Sequence, residues 1–443
     1  MIHKTLDYEY IFLRGCEKMD SQSYSMLFNG IDTEVELPNG QRVVPINFDN
    51  AATTPPLKKV DEFICENIMM YGSVGRGGQK SAYCTNAYEL SREAILKFFS
   101  LNESDGYEVI YVKNTTEGIN LLANMLCDRN SHKILTSRME HHANDLPWRE
   151  LGKTYYCEVD EKGKLKLDDF EEKLKRAKGT IKYVSITGTS NVTGYVNPVH
   201  KMAKIAHKYG ARMIVDGAQL VAHREINING NSKEEEIDAF VFSGHKMYAP
   251  FGSGVVIVKS DMIEGKRPFL LGGGAVESVF DDDVYYKKSP YKDEAGTPNF
   301  LGAMSIVAAM SVLKSIGYNN IVEHEEQLKK RLIAGLECLP QVELYGDYKN
   351  ADRVGVVPFN VKNIYHNNLG TLLQDKRGIA VRTGCFCAHP YVTRLLGMND
   401  DERYKLLEDP DAKTFGMVRA SFGLYNTEEE VDEFLNCIED IIK

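Results

Sequence analysis

A chain of 443 residues, 43% hydrophobic and 26% charged, is too long for one small core and suits a large domain with a smaller companion. Its formal charge of −10 argues against a nucleic-acid partner, which would select a basic face, but leaves room for local basic pockets that take small anions. Nine cysteines, an odd number without framework spacing, fit reduced cytoplasmic thiols better than disulfides.

In chain order, the opening stretch MIHKTLDYEYIFLRGC has no uninterrupted apolar run of the secretory kind, so no signal peptide is expected. Residues 1–45 are expected to pack on the smaller domain. From residue 46 to 310 short apolar runs alternate with amphipathic patterns. YEVIYVK, HKILTS, IKYVSIT, ARMIVDG, IDAFVFSG and FGSGVVIVKS read as strands. TTEGINLLANML reads as a helix, with Ile119, Leu122, Ala123 and Leu126 on one face. The alternation predicts an α/β domain with a mostly parallel sheet sandwiched by helices, and ligands at the carboxyl ends of its strands. GGGAVESVFDDDVYYKKSPYKDEAGTPN looks mobile, and LGAMSIVAAMSVLKSIG, too short to span a bilayer, reads as a buried helix. Residues 311–443 read as a smaller α+β domain.

Polar residues stand at one strand end after another. Thr115 and Thr116 follow YEVIYVK, His141 follows HKILTS, Asn191 follows IKYVSIT, Asp216 and Gln219 follow ARMIV, and Ser243, His245 and Lys246 follow DAFVF. Singly each has an ordinary reading: the threonines cap a helix, Asp216 does the same, the histidines fill the core, and Lys246 belongs at the surface. Parallel-sheet topology, however, sets successive strand ends side by side, which implies one shared site. A lysine held in a pocket becomes a nucleophilic amine, because burial disfavours its charged form. A cofactor with an aldehyde, a phosphate, a pyridine nitrogen and a phenolic oxygen would use the whole set. Lys246 would form its Schiff base. Thr115, Thr116, Ser243 and His245 would hold the phosphate at a helix N-terminus. Asp216 would keep the ring nitrogen protonated, Gln219 would meet the ring oxygen, and His141 would stack on the ring.

The motifs NTTEGINLLAN, MEHHANDLPW, TSNVTGYVNPV, VDGAQ, FSGHKMYAPFGSGVV, EAGTPN and VRASFGLYNTEEEVDEF occur in an order that resembles the class V branch of fold-type I pyridoxal-phosphate enzymes, and most of all the SufS-type cysteine desulfurases. The resemblance runs from about residue 47 to the C-terminus. It implies pyridoxal 5'-phosphate as cofactor, a seven-stranded sheet in the large domain, Lys246 as the cofactor lysine, and a homodimer in which Thr297 reaches the phosphate in the partner subunit. It further implies that Arg419, with Arg382 and Asn191 beside it, binds the amino-acid substrate. His141 would act as an acid–base group, and Cys387 in RTGCFC would take the sulfur of L-cysteine as a persulfide before a possible sulfur-acceptor protein receives it. A nearby arginine would favour the thiolate.

Two departures bear on the substrate. Cys385-Phe386-Cys387 differs from the His-containing segment of SufS relatives and resembles the pyridoxal domain of molybdenum-cofactor sulfurases. A C-x-C pair with no further cluster makes a weak metal site, so none is expected. HPYVTRLLGMNDDERYKLLEDPDAKTFG is longer than its SufS counterpart. A class V aminotransferase, lyase or epimerase would keep Lys246, Asp216 and Arg419 and dispense with the thiol, whereas a non-catalytic scaffold would need none of them together. Neither a nucleic acid nor a membrane is an expected partner.

Overall fold

The computed structural model describes residues 21–127, 132–408 and 415–443; the expected packing of residues 1–20 lies outside them. Seven strands form the main sheet: β1 (Tyr107–Val112), β2 (Lys133–Ser137), β3 (Lys153–Cys157), β4 (Ile181–Thr187), β5 (Arg212–Asp216), β6 (Ala239–Ser243) and β7 (Gly254–Lys259). Their order is β1-β7-β6-β5-β4-β2-β3, and only β7 runs against its neighbours. The mostly parallel sheet is therefore as expected. The edge strand β3, KTYYC, was not anticipated. Its partly exposed residues give neither a buried apolar run nor a strict alternation.

Strand side chains alternate between two cores. Tyr111, Phe240, Phe242, Val255 and Ile257 face one, while Ile110, Ala239, Val241, Val256 and Val258 face the other. A sheet buried on both faces needs helices on both, which explains its near-continuous apolar strands. Helix α1 (Thr115–Leu126) covers the second core. Helix α2 (Phe300–Ile316) is buried over most of its length in the first, with only Lys314 and Ser315 exposed. The expected boundary at residue 310 falls inside α2, whose last residue, Ile316, still belongs to that core. No single helix among the described residues is long and apolar enough to cross a membrane.

Helix α3 (Tyr318–Glu337) leads to a four-stranded antiparallel sheet of β8 (Val342–Leu344), β9 (Val356–Val361), β10 (Arg382–Gly384) and β11 (Met417–Ser421), in the order β8-β9-β11-β10. Leu328 and Leu332 of α3, Leu369 and Leu373 of α4 (His366–Arg377), and Phe434 and Ile438 of the C-terminal helix (Glu428–Ile442) pack on this sheet. The longer segment after Cys387 contains α5 (His389–Leu395) and α6 (Asp400–Glu408). The stretch read as mobile holds an antiparallel hairpin, Val276–Val279 with Val284–Tyr286; its alternation is masked by the DDD turn.

A short strap joins the two units. Ile46–Asn47 pairs in parallel with Ile379–Ala380, and Ile46 and Phe48 belong to the second unit's core. Ser421 N donates to Phe48 O at 2.7 Å, and further on Thr54 N donates to His245 O at 3.0 Å. Tyr24 and Phe28 pack into the first core, with Phe28 against the rings of Tyr248 and Tyr425.

Candidate active site

The carboxyl ends of β4, β5 and β6 open on a cavity of about 230 Å³. Thr115, Thr116, His141, Asn191, Asp216, Gln219, Ser243, His245, Lys246, Arg382, Cys387 and Arg419 all line it. Thr297 does not; it is exposed and lines a separate hollow with Ser253 and Asn299.

Lys246 ends a single turn after β6. That turn needs Gly244, whose N–H donates to Ser253 O at 2.8 Å and where a Cβ would sit 3.0 Å from the carbonyls of Ala249 and Ser253. Lys246 Nζ makes no hydrogen bond to another described residue. Burial, aided by Arg419, pulls its pKa below that of an ordinary lysine, against the pull of Asp216 and Cys387. Asp216, at the end of β5, is 4% exposed and accepts from Ala218 N at 2.9 Å. Burial raises its pKa, while Lys246 opposes the rise. A buried carboxyl with one backbone donor, facing a cavity, suits a ligand N–H.

At the other end Asn114 Oδ1 caps α1 through Glu117 N at 3.0 Å, and Ser243 Oγ lies 2.8 Å from Thr115 N and 2.7 Å from Thr115 Oγ1. Hydroxyls at a helix N-terminus fit a phosphate. The helix comes this close to the sheet because residue 118 is glycine: a Cβ there would stand 2.6 Å from Val241 and 2.8 Å from Val256. His141 Nδ1 accepts from Ala143 N at 3.0 Å, so the ring proton belongs on Nε2. Burial and Lys246 pull its pKa down to about 3, giving a neutral ring at the cavity wall. His245 is lowered to about 4 by the same two causes, and its Nδ1 lies 3.2 Å from Thr53 Oγ1. Gln219 Nε2 donates to Ala51 O at 2.7 Å, a partner that only the strap explains.

Cys387 is exposed at the third position of a tight turn in which Ala388 N donates to Cys385 O at 2.8 Å. Both central residues are left-handed, Phe386 at φ 52° and Cys387 at φ 54°. For non-glycine residues this costs about 1–2 kcal/mol each. Outside donors offset the strain: His142 N binds Cys387 O at 2.7 Å, and Asn191 Nδ2 binds Phe386 O at 2.8 Å. Cys385 differs, since burial pushes its thiol up to about 12 and keeps it protonated at neutral pH. From the longer segment, His389 Nδ1 lies 3.0 Å from His142 Nε2 with the two rings nearly parallel. No disulfide joins any of the eight described cysteines.

Arg419 in β11 stands directly across from Arg382 in β10. Its Nη1 donates to Asn191 O at 2.9 Å, its Nη2 to Asp49 Oδ1 at 2.9 Å, and its guanidinium lies 5.0 Å from the Phe386 ring centroid. Ala51, Ala52, Asn114, Thr187, Thr189 and Phe386 also line the cavity and were missed in the sequence. An N-T-T step between strand and helix could have flagged Asn114; the alanines carry no side-chain signal.

Beneath His141 lies Glu140, 3% exposed, in contact with Ser137 Oγ and, at 2.7 Å, with Asn144 Nδ2. Burial raises its pKa from 4.5 to about 8. A raised folded pKa means that its stabilising contribution is complete below the unfolded value and is lost as pH climbs from 4.5 to about 8. Glu140→Gln imitates the neutral acid, donating to Ser137 Oγ and accepting from Asn144. Thermal unfolding of this variant should show a weaker decline between pH 5 and 8 than the parent; parallel pH profiles would refute the assignment.

The aminotransferase class-V family model matches residues 46–434. A curated probable cysteine desulfurase of Halalkalibacterium halodurans is 34% identical, covering 95% of this chain and 98% of its own. Another from Pyrococcus abyssi is 35% identical, covering 93% and 97%. The apo structure of the cysteine desulfurase from Thermococcus onnurineus NA1 superposes with a TM-score of 0.78 at 34% identity, covering 90% of this chain and 94% of that one. Because the family match begins at the strap and ends beyond Arg419, it takes in every residue of the cavity, and the chain belongs to the aminotransferase class-V family.

Proposed function

We propose that the protein is a pyridoxal 5'-phosphate-dependent cysteine desulfurase that converts L-cysteine to L-alanine and carries the sulfur as a persulfide on Cys387. The observation that carries this reading is the exposed thiol of Cys387, held in a strained, doubly clamped turn on the same cavity as Lys246 and Arg419. Naming of the relatives as cysteine desulfurases supports it.

The residues fit the cofactor. Thr115, Thr116, Ser243 and His245 would hold its phosphate, Asp216 its ring nitrogen, Gln219 its ring oxygen, and His141 its face. When bound, pyridoxal 5'-phosphate supplies an aldehyde that condenses with amines and a ring that draws electrons from the substrate Cα. Lys246 Nζ, uncharged more readily than an ordinary lysine, takes and returns the Cα proton. Arg419 receives the substrate carboxylate. The Cys387 thiolate attacks the substrate sulfur: an S–S bond forms, the substrate's C–S bond breaks with its electron pair left on carbon, and protonation there yields alanine. The half-buried, protonated Cys385 serves packing in this scheme.

A homodimer follows by family likeness, with Thr297 serving the cavity of the second copy. The exposed hairpin residues Phe280 and Tyr285, 61% and 58% accessible, support such an apolar contact. The division into a large and a small domain is kept as part of this proposal, with the boundary moved from residue 310 to the end of α2 at Ile316, as is a sulfur-acceptor protein.

The test is incubation of the holoprotein with L-cysteine and a reductant. Sulfide and alanine should appear in equal amounts, and Cys387→Ala should reduce both to background. Full activity in that variant would remove Cys387 from the mechanism. A keto acid formed in place of alanine would assign transamination.

A further inference from the structure

We propose that Asp49 sets the charge of the amino acid that this cavity accepts: it engages both Arg419 and Arg382, leaving one net cation for an α-carboxylate and none for an acidic side chain. The inference rests on the substrate-binding role given to Arg419 above. Asp49 does not itself line the cavity, so it acts through the arginines as a positioning residue.

Arg382 and Arg419 are direct cross-strand partners, an arrangement that is unfavourable for like charges. Asp49 lies against both, with Oδ1 2.9 Å from Arg419 Nη2 and Oδ2 3.8 Å from Arg382 Nη1. Its backbone is fixed by a bridge to Ser421, two residues beyond Arg419, and by a 3.0 Å bond from its N–H to Asn47 Oδ1. Arg419 is otherwise committed through Nη1 to Asn191 O, while its buried Nε–H has no partner among the described residues. Nη1 and Nη2 each keep a second N–H, and Arg419 lines the cavity, so it still has donors for a carboxylate. Two guanidinium groups and one carboxylate carry a net charge of +1. A monocarboxylate amino acid balances that charge, whereas a dicarboxylate would bring a second anion to an arginine already paired with Asp49.

The experiment titrates the holoprotein with L-alanine and with L-aspartate, following cofactor absorbance, in the parent, Asp49→Asn, Arg382→Gln and the double variant. Asp49→Asn should tighten L-aspartate relative to L-alanine by about fivefold, the upper range for an exposed ion pair. Arg382→Gln should abolish that gain in the double variant, yet move the ratio by less than about twofold alone. Equal changes for both ligands, an unchanged ratio, or a gain that survives in the double variant would overturn the proposal. If Asp49→Asn does not fold, Arg382→Gln alone decides: a selective loss of L-aspartate binding would show that Arg382 was never neutralised. No spectral response to either amino acid would sink the role of Arg419. Failure to release sulfide from L-cysteine would sink only the desulfurase reading and leave the titrations interpretable.

Discussion

Lys246→Ala is expected to lower sulfide release from L-cysteine by about 10²- to 10⁴-fold, the range for loss of a positioned acid–base group. The reason lies in what the turn after β6 does to this amine. Gly244 and the strap threonines fix its backbone, burial disfavours its charge, and no neighbouring side chain takes up its proton-bearing nitrogen. Alanine removes the only amine among the described residues that line the cavity, so neither proton transfer at Cα nor covalent capture of the cofactor aldehyde has a replacement there. Borohydride reduction of the parent holoprotein should fix the cofactor to Lys246, as read by peptide mapping, and the variant should remain unlabelled. The thermal midpoint of the cofactor-free variant should equal or exceed that of the parent, because a poorly solvated cation without a hydrogen bond is lost. Labelling of a different lysine, with activity retained, would refute the assignment.

Lys246 and Asp216 were legible in the sequence for a physical reason. Strands buried on both faces write a continuous apolar run, and the first polar residue after such a run marks the carboxyl end where ligands gather. Asp216 and Ser243 are those residues, and Lys246 closes the single turn that follows Ser243. The arrangement around Cys387 was not legible. Its turn has no glycine or asparagine to announce two left-handed residues, because the conformation is enforced from outside by His142 N and Asn191 Nδ2. Asp49 was invisible for a similar reason. It sits in a nine-residue strap whose backbone bonds to Ser421, Ala380 and His245 bring together positions that are hundreds of residues apart. The edge strand β3 escaped because partial exposure blurs its pattern. Periodicity reports what a residue buries; contacts made by a backbone carbonyl or across two units leave no periodic trace.

Arg419→Lys is expected to lower kcat/KM for L-cysteine by about 10²-fold, equivalent to a loss of ~2–3 kcal/mol when one partner of a buried, hydrogen-bonded charge pair is replaced. Lysine keeps the charge but not the planar fork. One ammonium cannot at once reach Asn191 O, engage Asp49 and present a two-point edge to a carboxylate. KM should therefore rise. kcat should fall as well, because Arg419 is linked to the nucleophile: its Nη1 binds Asn191 O, Asn191 Nδ2 binds Phe386 O, and the guanidinium covers the Phe386 ring. Asn191→Ala separates the two effects. It preserves the backbone oxygen that Arg419 uses and removes only the clamp on Phe386, so kcat should fall while the affinity for L-alanine, read from cofactor absorbance, stays near that of the parent. If Asn191→Ala weakens L-alanine binding as much as Arg419→Lys does, then Asn191 contacts the substrate directly and the turn bearing Cys387 is positioned by His142 alone. If Arg419→Lys raises KM and leaves kcat untouched, carboxylate recognition and sulfur transfer are independent, and the path from Arg419 through Asn191 to Cys387 carries packing without coupling.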